Sequence, residues 1–290
     1  MPVAMPDPES VTVDAWRHLI LQRWGLAFRD TQLPVVLGSL RERTRAGGVT
    51  ERQYYEYLSN EPDGGPEWTA LGERLLNHET SFFRHPPSFD VLRTHILPEL
   101  RDTRRGGRIN LWSAGCSTGQ ESYSLAMVAM DVFGDNTLRG DFTVWGGDVS
   151  RLAIAVARTG RYGARAIAGI PEDYRRRFLR ATGNGAGSQY EIVDELRMRT
   201  RFAVTNLLAA FAVNLNHDVI FCHNVLIYLS PTVVSQVVAL LAARLALGGY
   251  LLLGPGEAPA ERPPALDALT INGVRVLHRR NASAEVRPSC

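Results

Sequence analysis

The chain of 290 residues contains no lysine, and all 32 of its basic residues are arginine. A lysine Schiff base, a lysine nucleophile and a phosphate loop ending in G-K-[ST] are thereby excluded. Cysteine is scarce. Cys116, Cys222 and Cys290 are odd in number and widely spaced, with no C-x-x-C pair and no Cys/His cluster at metal-ligand spacing. The expectation is a reducing cytoplasm and no structural metal. No run of about twenty apolar residues is available to span a bilayer, and the first residues lack an apolar signal core. A net charge of +2 makes no chain-wide electrostatic case for nucleic acid. The dinucleotide fingerprint G-x-G-x-x-G is also missing, which removes the main support for a nicotinamide or flavin cofactor.

What is present centres on Arg108 to Ser124, RINLWSAGCSTGQESYS. Ile109, Leu111 and Trp112 carry β propensity, Ala114 to Gly119 is almost without bulk, and Glu121, Leu125, Ala126, Val128 and Ala129 continue at helical spacing. A strand that breaks into tiny residues and restarts as a helix lets backbone approach a bound molecule at the carboxyl end of a sheet. With pyrophosphate motifs excluded, a nucleoside ligand such as S-adenosylmethionine (SAM) fits; a plain strand-to-helix turn is the structural alternative.

The flanks extend this α/β reading. From Val11 to about Glu73, Trp16, Leu19, Ile20, Trp24, Val35, Val36, Leu40, Tyr54, Tyr55 and Leu58 recur at helical spacing between breakers at Gly25, Gly47-Gly48 and Pro62 to Pro66, predicting a small helical domain. Its Arg41, Arg43, Arg45 and Arg52 either form a basic docking face or a solvated one. LLNHETSFFR, Leu75 to Arg84, crowds His78, Glu79, Thr80 and Arg84 together, and the planar fork of Arg84 suits a carboxylate. A helix is expected from Phe89 to about Arg101. Phe142 to Asp148 reads as the next strand, its terminal acid placed either to hold ribose hydroxyls or to cap the following helix, a task Ser150 also suits.

Helix is expected again from Pro171, a flexible turn from Gly183 to Gly187, and an antiparallel hairpin from Tyr190–Val193 with Met198–Val204, the kind of insertion at which a partner adds a strand. DVIFCHN, Asp218 to Asn224, reads as a strand buried on both faces. Ser230 and Pro231 start a helix that ends at Gly248-Gly249, and strands follow at Tyr250 to Leu253 and Val274 to Leu277. Residues 1–10 and the tail after Arg280 are expected to be loose.

Taken in order, ET-S-FFR, WSAGCSTG-QE-S-YSLA, GGD, NLL, FC-H-N-V-L-IY and LGGYLLLG-P-GE resemble the chemotaxis receptor methyltransferases (CheR type) over about residues 14 to 278. The resemblance implies an α/β chain: a helical N-terminal domain with linker (11–84), then a Rossmann-like class I SAM-dependent methyltransferase domain (85–280) carrying an inserted antiparallel β-subdomain at about 183–204. It implies a monomeric, cytoplasmic protein-glutamate O-methyltransferase that makes glutamyl methyl esters on chemoreceptor cytoplasmic domains, with S-adenosylhomocysteine (SAH) as product and a receptor tail as a partner of the β-subdomain. Carried over residue by residue, the cofactor contacts fall on His78, Thr80, Arg84, Ala114, Gly115, Glu121, Asp148, Asn206, Leu207, Asn224 and Val225. His78 stands where the family usually has asparagine, with Asn77 out of register. His223 replaces an arginine, Gln120 a glutamate and Ser122 a proline. Tyr228, four residues past Asn224, either orients the incoming carboxylate or closes the pocket as a half-buried aromatic. Two other functions stay open: methyl transfer to a nitrogen nucleophile, and a SAM-binding signalling module without turnover.

Overall fold

The computed structural model describes residues 10–62, 65–76, 78–104, 107–134, 141–183, 188–208 and 216–280. The loose ends expected at residues 1–9 and 281–290, most of the turn expected at 183–187, and Asn77 lie outside the described residues. Two compact units form, one from the helical N-terminal residues together with Tyr228–Val233, the other from His78–Ile227 and the chain beyond Val234.

The first unit is built on α1 (Val13–Trp24), α2 (Leu33–Gly47), α3 (Glu51–Asn60) and α4 (Pro66–Leu75). Local chemistry sets their ends. Thr12 caps α1, Gly25 and Gly48 adopt left-handed C-cap conformations, and Thr50 exchanges bonds with Gln53 in a capping box. The predicted apolar positions Trp16, Leu19, Ile20, Val36, Leu40, Tyr54 and Leu58 are buried, with Trp68 and Leu71 completing the core, whereas Val35 is exposed. Leu229 makes a β-bridge to Leu26, and the Tyr228 carbonyl accepts the Ala27 N–H at 2.9 Å. The Tyr228 side chain packs against this same helical core.

Arg43, one of the predicted docking arginines, is occupied internally. Its Nε and Nη2 donate to both oxygens of Glu67 at 2.7 and 2.6 Å, and Tyr54 Oη donates to Glu67 Oε1 at 2.7 Å. The Arg43 hydrogen bonds, opposed by burial, hold the Glu67 carboxyl below the usual range. A carboxyl lowered by folding contributes stability that is complete above its unfolded pKa and is lost as pH falls through the folded one. Glu67→Ala, which strands both donors, is expected to destabilise the protein by about 1–3 kcal/mol at neutral pH. The deficit should shrink in acid denaturation series below pH about 4. A deficit independent of pH would show that packing, not the charge, carries the effect.

The second unit is a doubly wound sheet. Its strands are β1 (Arg108–Ala114), β2 (Asp141–Asp148), β6 (Thr200–Val204), β7 (His217–Cys222), β8 (Leu245–Leu253), β9 (Leu266–Ile271) and β10 (Val274–Arg279), in the order β6-β2-β1-β7-β8-β10-β9. The first five are mutually parallel, while β10 runs antiparallel to β8 and β9 antiparallel to β10. All six residues of β7 are buried, as expected for a central parallel strand with both faces covered. Helices α5 (Pro86–Val91) and α6 (Leu97–Thr103), joined by a π-helical stretch Leu92–Ile96, precede β1. Then come α7 (Gln120–Phe133), α8 (Arg151–Thr159), α9 (Glu172–Phe178), α10 (Asp194–Arg199) and α11 (Pro231–Arg244).

The predicted hairpin does not form. Gln189–Ile192 is β5, the centre of a three-stranded antiparallel sheet between β3 (Arg161–Gly163) and β4 (Leu179–Thr182). Met198 lies in α10, and Thr200–Val204 pairs in parallel with β2 at the edge of the main sheet. Acids at the start of α10 and arginines at its end complement the helix dipole, so the stretch between the two strands coils instead of extending. The antiparallel insertion therefore draws on chain from 161 to 192, upstream of the segment where alternation placed it.

Candidate functional site

The chain leaves β1 for β2 and β6 on one side and returns to β7 and β8 on the other. The crevice between the carboxyl ends of β1 and β7 is thus the topological switch point, where open parallel sheets bind ligands. Ala114 ends β1 buried, and Gly115 follows at φ +84. A side chain on Gly115 is excluded twice, by the left-handed backbone and because its Cβ would run into Val225 Cγ2. The Gly115 and Cys116 N–H groups both donate to Gly147 O, at 2.8 and 2.9 Å. Ser117 and Gly119 are also left-handed, at φ 48 and 95, so the turn doubles back before α7 begins.

Two carboxylates, Asp148 and Glu121, lie at this turn. Asp148, closing β2, accepts the Ser117 N–H at 2.7 Å on Oδ2 and the Ser150 N–H at 2.9 Å on Oδ1. Ser150 caps α8 through its own hydroxyl, accepting from Ala153 N at 2.9 Å, so Asp148 is not the cap of that helix. Glu121, in the first turn of α7, accepts from Ser113 Oγ at 2.8 Å and lies 3.5 Å from His223 Nδ1. Burial, against the Ser113 hydrogen bond, raises its pKa to about 7, and the Glu257 charge adds to the rise. Burial lowers His223 to about 3, helped by His85 and Arg84, so this imidazole is neutral near pH 7. Among the described residues His223 Nε2 has no hydrogen-bond partner although it is buried.

The segment predicted to embrace the ligand is attached to the same turn. Ser117 Oγ donates to the His78 carbonyl at 3.1 Å, and the Phe83 N–H donates to Ser124 Oγ of α7 at 3.1 Å. Thr80 is half-buried, and exposed Arg84 donates Nη1 to Glu79 O at 2.8 Å. On the far side Thr205 N donates to Asp148 O at 2.8 Å, which brings Asn206 and Leu207 beyond β6 to the same end of the sheet. Asn206 Oδ1 accepts the Leu208 N–H at 2.9 Å in a local turn. Asn224, left-handed at φ 60, and Val225 follow β7.

The structure therefore brings together His78, Thr80, Arg84, Ala114, Gly115, Glu121, Asp148, Asn206, Leu207, Asn224 and Val225 within one unit, while Tyr228 packs in the helical unit. Tyr162 and Glu257 escaped the sequence reading. Tyr162 of β3 donates its hydroxyl to Thr118 O at 2.8 Å and stacks edge-on against Phe82 at 5.0 Å, tying the small sheet to the turn. The sequence signals for Glu257 are its place at the end of the LGGYLLLG-P-GE motif and just past the apolar strand LALGGYLLL, neither of which gives it a role.

These residues fit a cationic nucleoside. The turn packs left-handed Gly115 against Val225 Cγ2 with no room for a Cβ between them, and the carboxylates of Asp148 and Glu121 outnumber the guanidinium of Arg84 beside it. Comparison with known proteins agrees. A family model described as the CheR methyltransferase SAM binding domain matches residues 78–270. The chain is 33% identical to the chemotaxis protein methyltransferase of Escherichia coli K12, over 83% of this chain and 82% of that protein. It is 35% identical to chemotaxis protein methyltransferase 1 of Pseudomonas aeruginosa, over 80% and 87%. A probable chemotaxis protein methyltransferase of Rhizobium etli is 29% identical over 80% and 87%. With a family match across the whole switch-point crevice and relatives aligned over most of their length, the chain belongs to the CheR methyltransferase family, SAM-dependent transferases.

Proposed function

We propose that this chain is a cytoplasmic methyltransferase that esterifies glutamate side chains on the cytoplasmic domains of chemoreceptors. The carrying observation is the crevice at the switch point: a tight turn at left-handed Gly115 with the Asp148 and Glu121 carboxylates beside it, in a chain whose relatives are named chemotaxis protein methyltransferases. In this reading Asp148 takes the ribose hydroxyls, Arg84 and Thr80 hold the methionine end, and the backbone from Ala114 to Ser117 lies against the nucleoside. SAM, when bound, supplies a methyl group activated by a sulfonium.

A glutamate carboxylate is ionised at neutral pH, so no base is needed to create the nucleophile. A methyl group from bound SAM, released from sulfur as it joins the carboxylate oxygen, would require no proton transfer from the chain's own residues. The chain's task is alignment, worth about 7–11 kcal/mol in well-oriented systems, together with exclusion of water from charges that neutralise each other. Among the described crevice residues the thiols of Cys116 and Cys222 are pushed up by burial, so neither is a thiolate that competes with the acceptor carboxylate for the methyl group.

The test is transfer of labelled methyl from SAM to purified receptor cytoplasmic domains, followed by mild alkali. Release of the label as methanol identifies a carboxyl ester. Alkali-stable label would indicate a nitrogen acceptor, and SAH binding without transfer to any receptor would indicate a module without turnover. Within the same proposal, the β3-β5-β4 sheet is the surface to which a receptor tail would add a strand.

A further inference from the structure

Glu257 lies on the loop after β8, is 3% exposed, and carries a carboxylate. Burying such a group costs stability unless its oxygens are satisfied. Here they are satisfied by main chain. Oε2 accepts the Asn224 N–H at 2.6 Å and Oε1 the Ile227 N–H at 3.1 Å. The Leu226 and Val225 N–H groups contribute as well. The acid thus gathers the amides of the loop that leaves β7, including Asn224 in its left-handed conformation.

That loop carries Val225, whose Cγ2 occupies the space a Cβ on Gly115 would need. Gly254 is shaped to the same end, because a Cβ there would collide with Glu257 Oε2. A continuous chain of contacts therefore runs from Glu257 through the 224–227 backbone to the turn after β1. We propose that Glu257 is a positioning residue for the cofactor crevice: its carboxylate fixes the Asn224–Ile227 backbone and, through Val225, the wall opposite Gly115. This rests on the reading of the crevice as the cofactor site. The residue touches no reacting atom in this scheme and acts through the loop it holds.

The test uses the full chain. In Glu257→Gln the amide NH2 faces an N–H donor, so the loop loses one of its anchors while side-chain volume is kept. The dissociation constant for SAH, measured by calorimetry, should rise at least about tenfold, and KM for SAM should rise by a similar factor with kcat within about threefold, because ground-state binding is what is lost. Glu257→Asp, which keeps the charge but shortens the reach, should fall between Gln and the parent. A Glu257→Gln protein that binds SAH within about twofold of the parent would overturn the assignment, even if it melts earlier.

If Glu257→Gln fails to fold, amide hydrogen exchange in the unmodified, ligand-free protein decides. Protection at Asn224 and Ile227 that is lost in Gly254→Ala supports the role, and exchange at open-chain rates in the parent overturns it. An unmodified protein that shows this protection but binds no SAH would instead count against the crevice as the cofactor site.

Discussion

Asp148→Asn is expected to weaken SAH binding by about 100-fold or more, a loss of about 2.7 kcal/mol, while lowering unfolding free energy by about 1–3 kcal/mol. The carboxylate has two jobs that an amide cannot do together. Both oxygens accept main-chain N–H groups, from Ser117 at 2.7 Å and Ser150 at 2.9 Å. An amide presents one acceptor and one donor, so whichever way the substituted side chain turned, an NH2 would face an N–H. The Ser117 bond matters most, because Ser117 sits at φ 48 in the turn and its hydroxyl anchors the His78 carbonyl. The oxygens proposed to take the ribose hydroxyls lose their charge at the same time. Arg84→Ala is the useful comparison. Arg84 is exposed and donates within its own segment, to Glu79 O, so its loss should cost affinity with almost no change in melting temperature. Calorimetry and denaturation of both variants check this. Parent-like binding by both would place the cofactor elsewhere.

How far the fold could be read beforehand followed the range of the forces involved. The strand-turn-helix around Gly115 was legible because a run of tiny residues between an apolar strand and a helical pattern has few other uses. The α1–α4 helices and the starts of α8 and α11 were legible from helical spacing, from caps such as Ser150 and Ser230 and from breakers such as Gly25. Strand partners were not. Thr200–Val204 alternates as a strand should, but alternation does not say that β2, more than 50 residues back, is its neighbour. Likewise β4 (LRAT) is too short to show a period, and it becomes a strand only beside β5. At the site, the groups singled out in advance sit in or next to the quoted motifs. Glu257 and Tyr162 act on main-chain atoms 33 and 44 residues away, and local pattern carries no trace of such reach.

Glu121 gives the largest expected pH effect. Burial raises its pKa to about 7, from an ordinary value of 4.5. For a carboxyl raised by folding, the folded state holds the proton more tightly than the unfolded one. Its contribution to stability is complete below the unfolded pKa and is lost as pH rises through about 7. A shift of that size corresponds to about 3 kcal/mol. The ligand-free protein should therefore lose stability between pH 4.5 and 7, and Glu121→Gln, whose carbonyl still accepts from Ser113 Oγ, should flatten that part of the profile. Ligand charge should reverse the balance. A sulfonium favours ionised Glu121, so SAM binding near pH about 6.5, where a group titrating at about 7 is about three-quarters protonated, should release more protons than SAH binding does, and the SAM-to-SAH affinity ratio should climb from pH about 6 to about 8. Other groups around Glu121 do not mimic this: His223 is held near 3, the buried thiols are pushed up, and Glu257, also raised, remains in Glu121→Gln as the internal control. Calorimetry in two buffers of different ionisation enthalpy measures the released protons directly. Equal proton release for the two ligands, or a ratio that does not change with pH, would mean that Glu121 does not sense the sulfonium and that the charge of the bound methyl donor is met by another carboxylate.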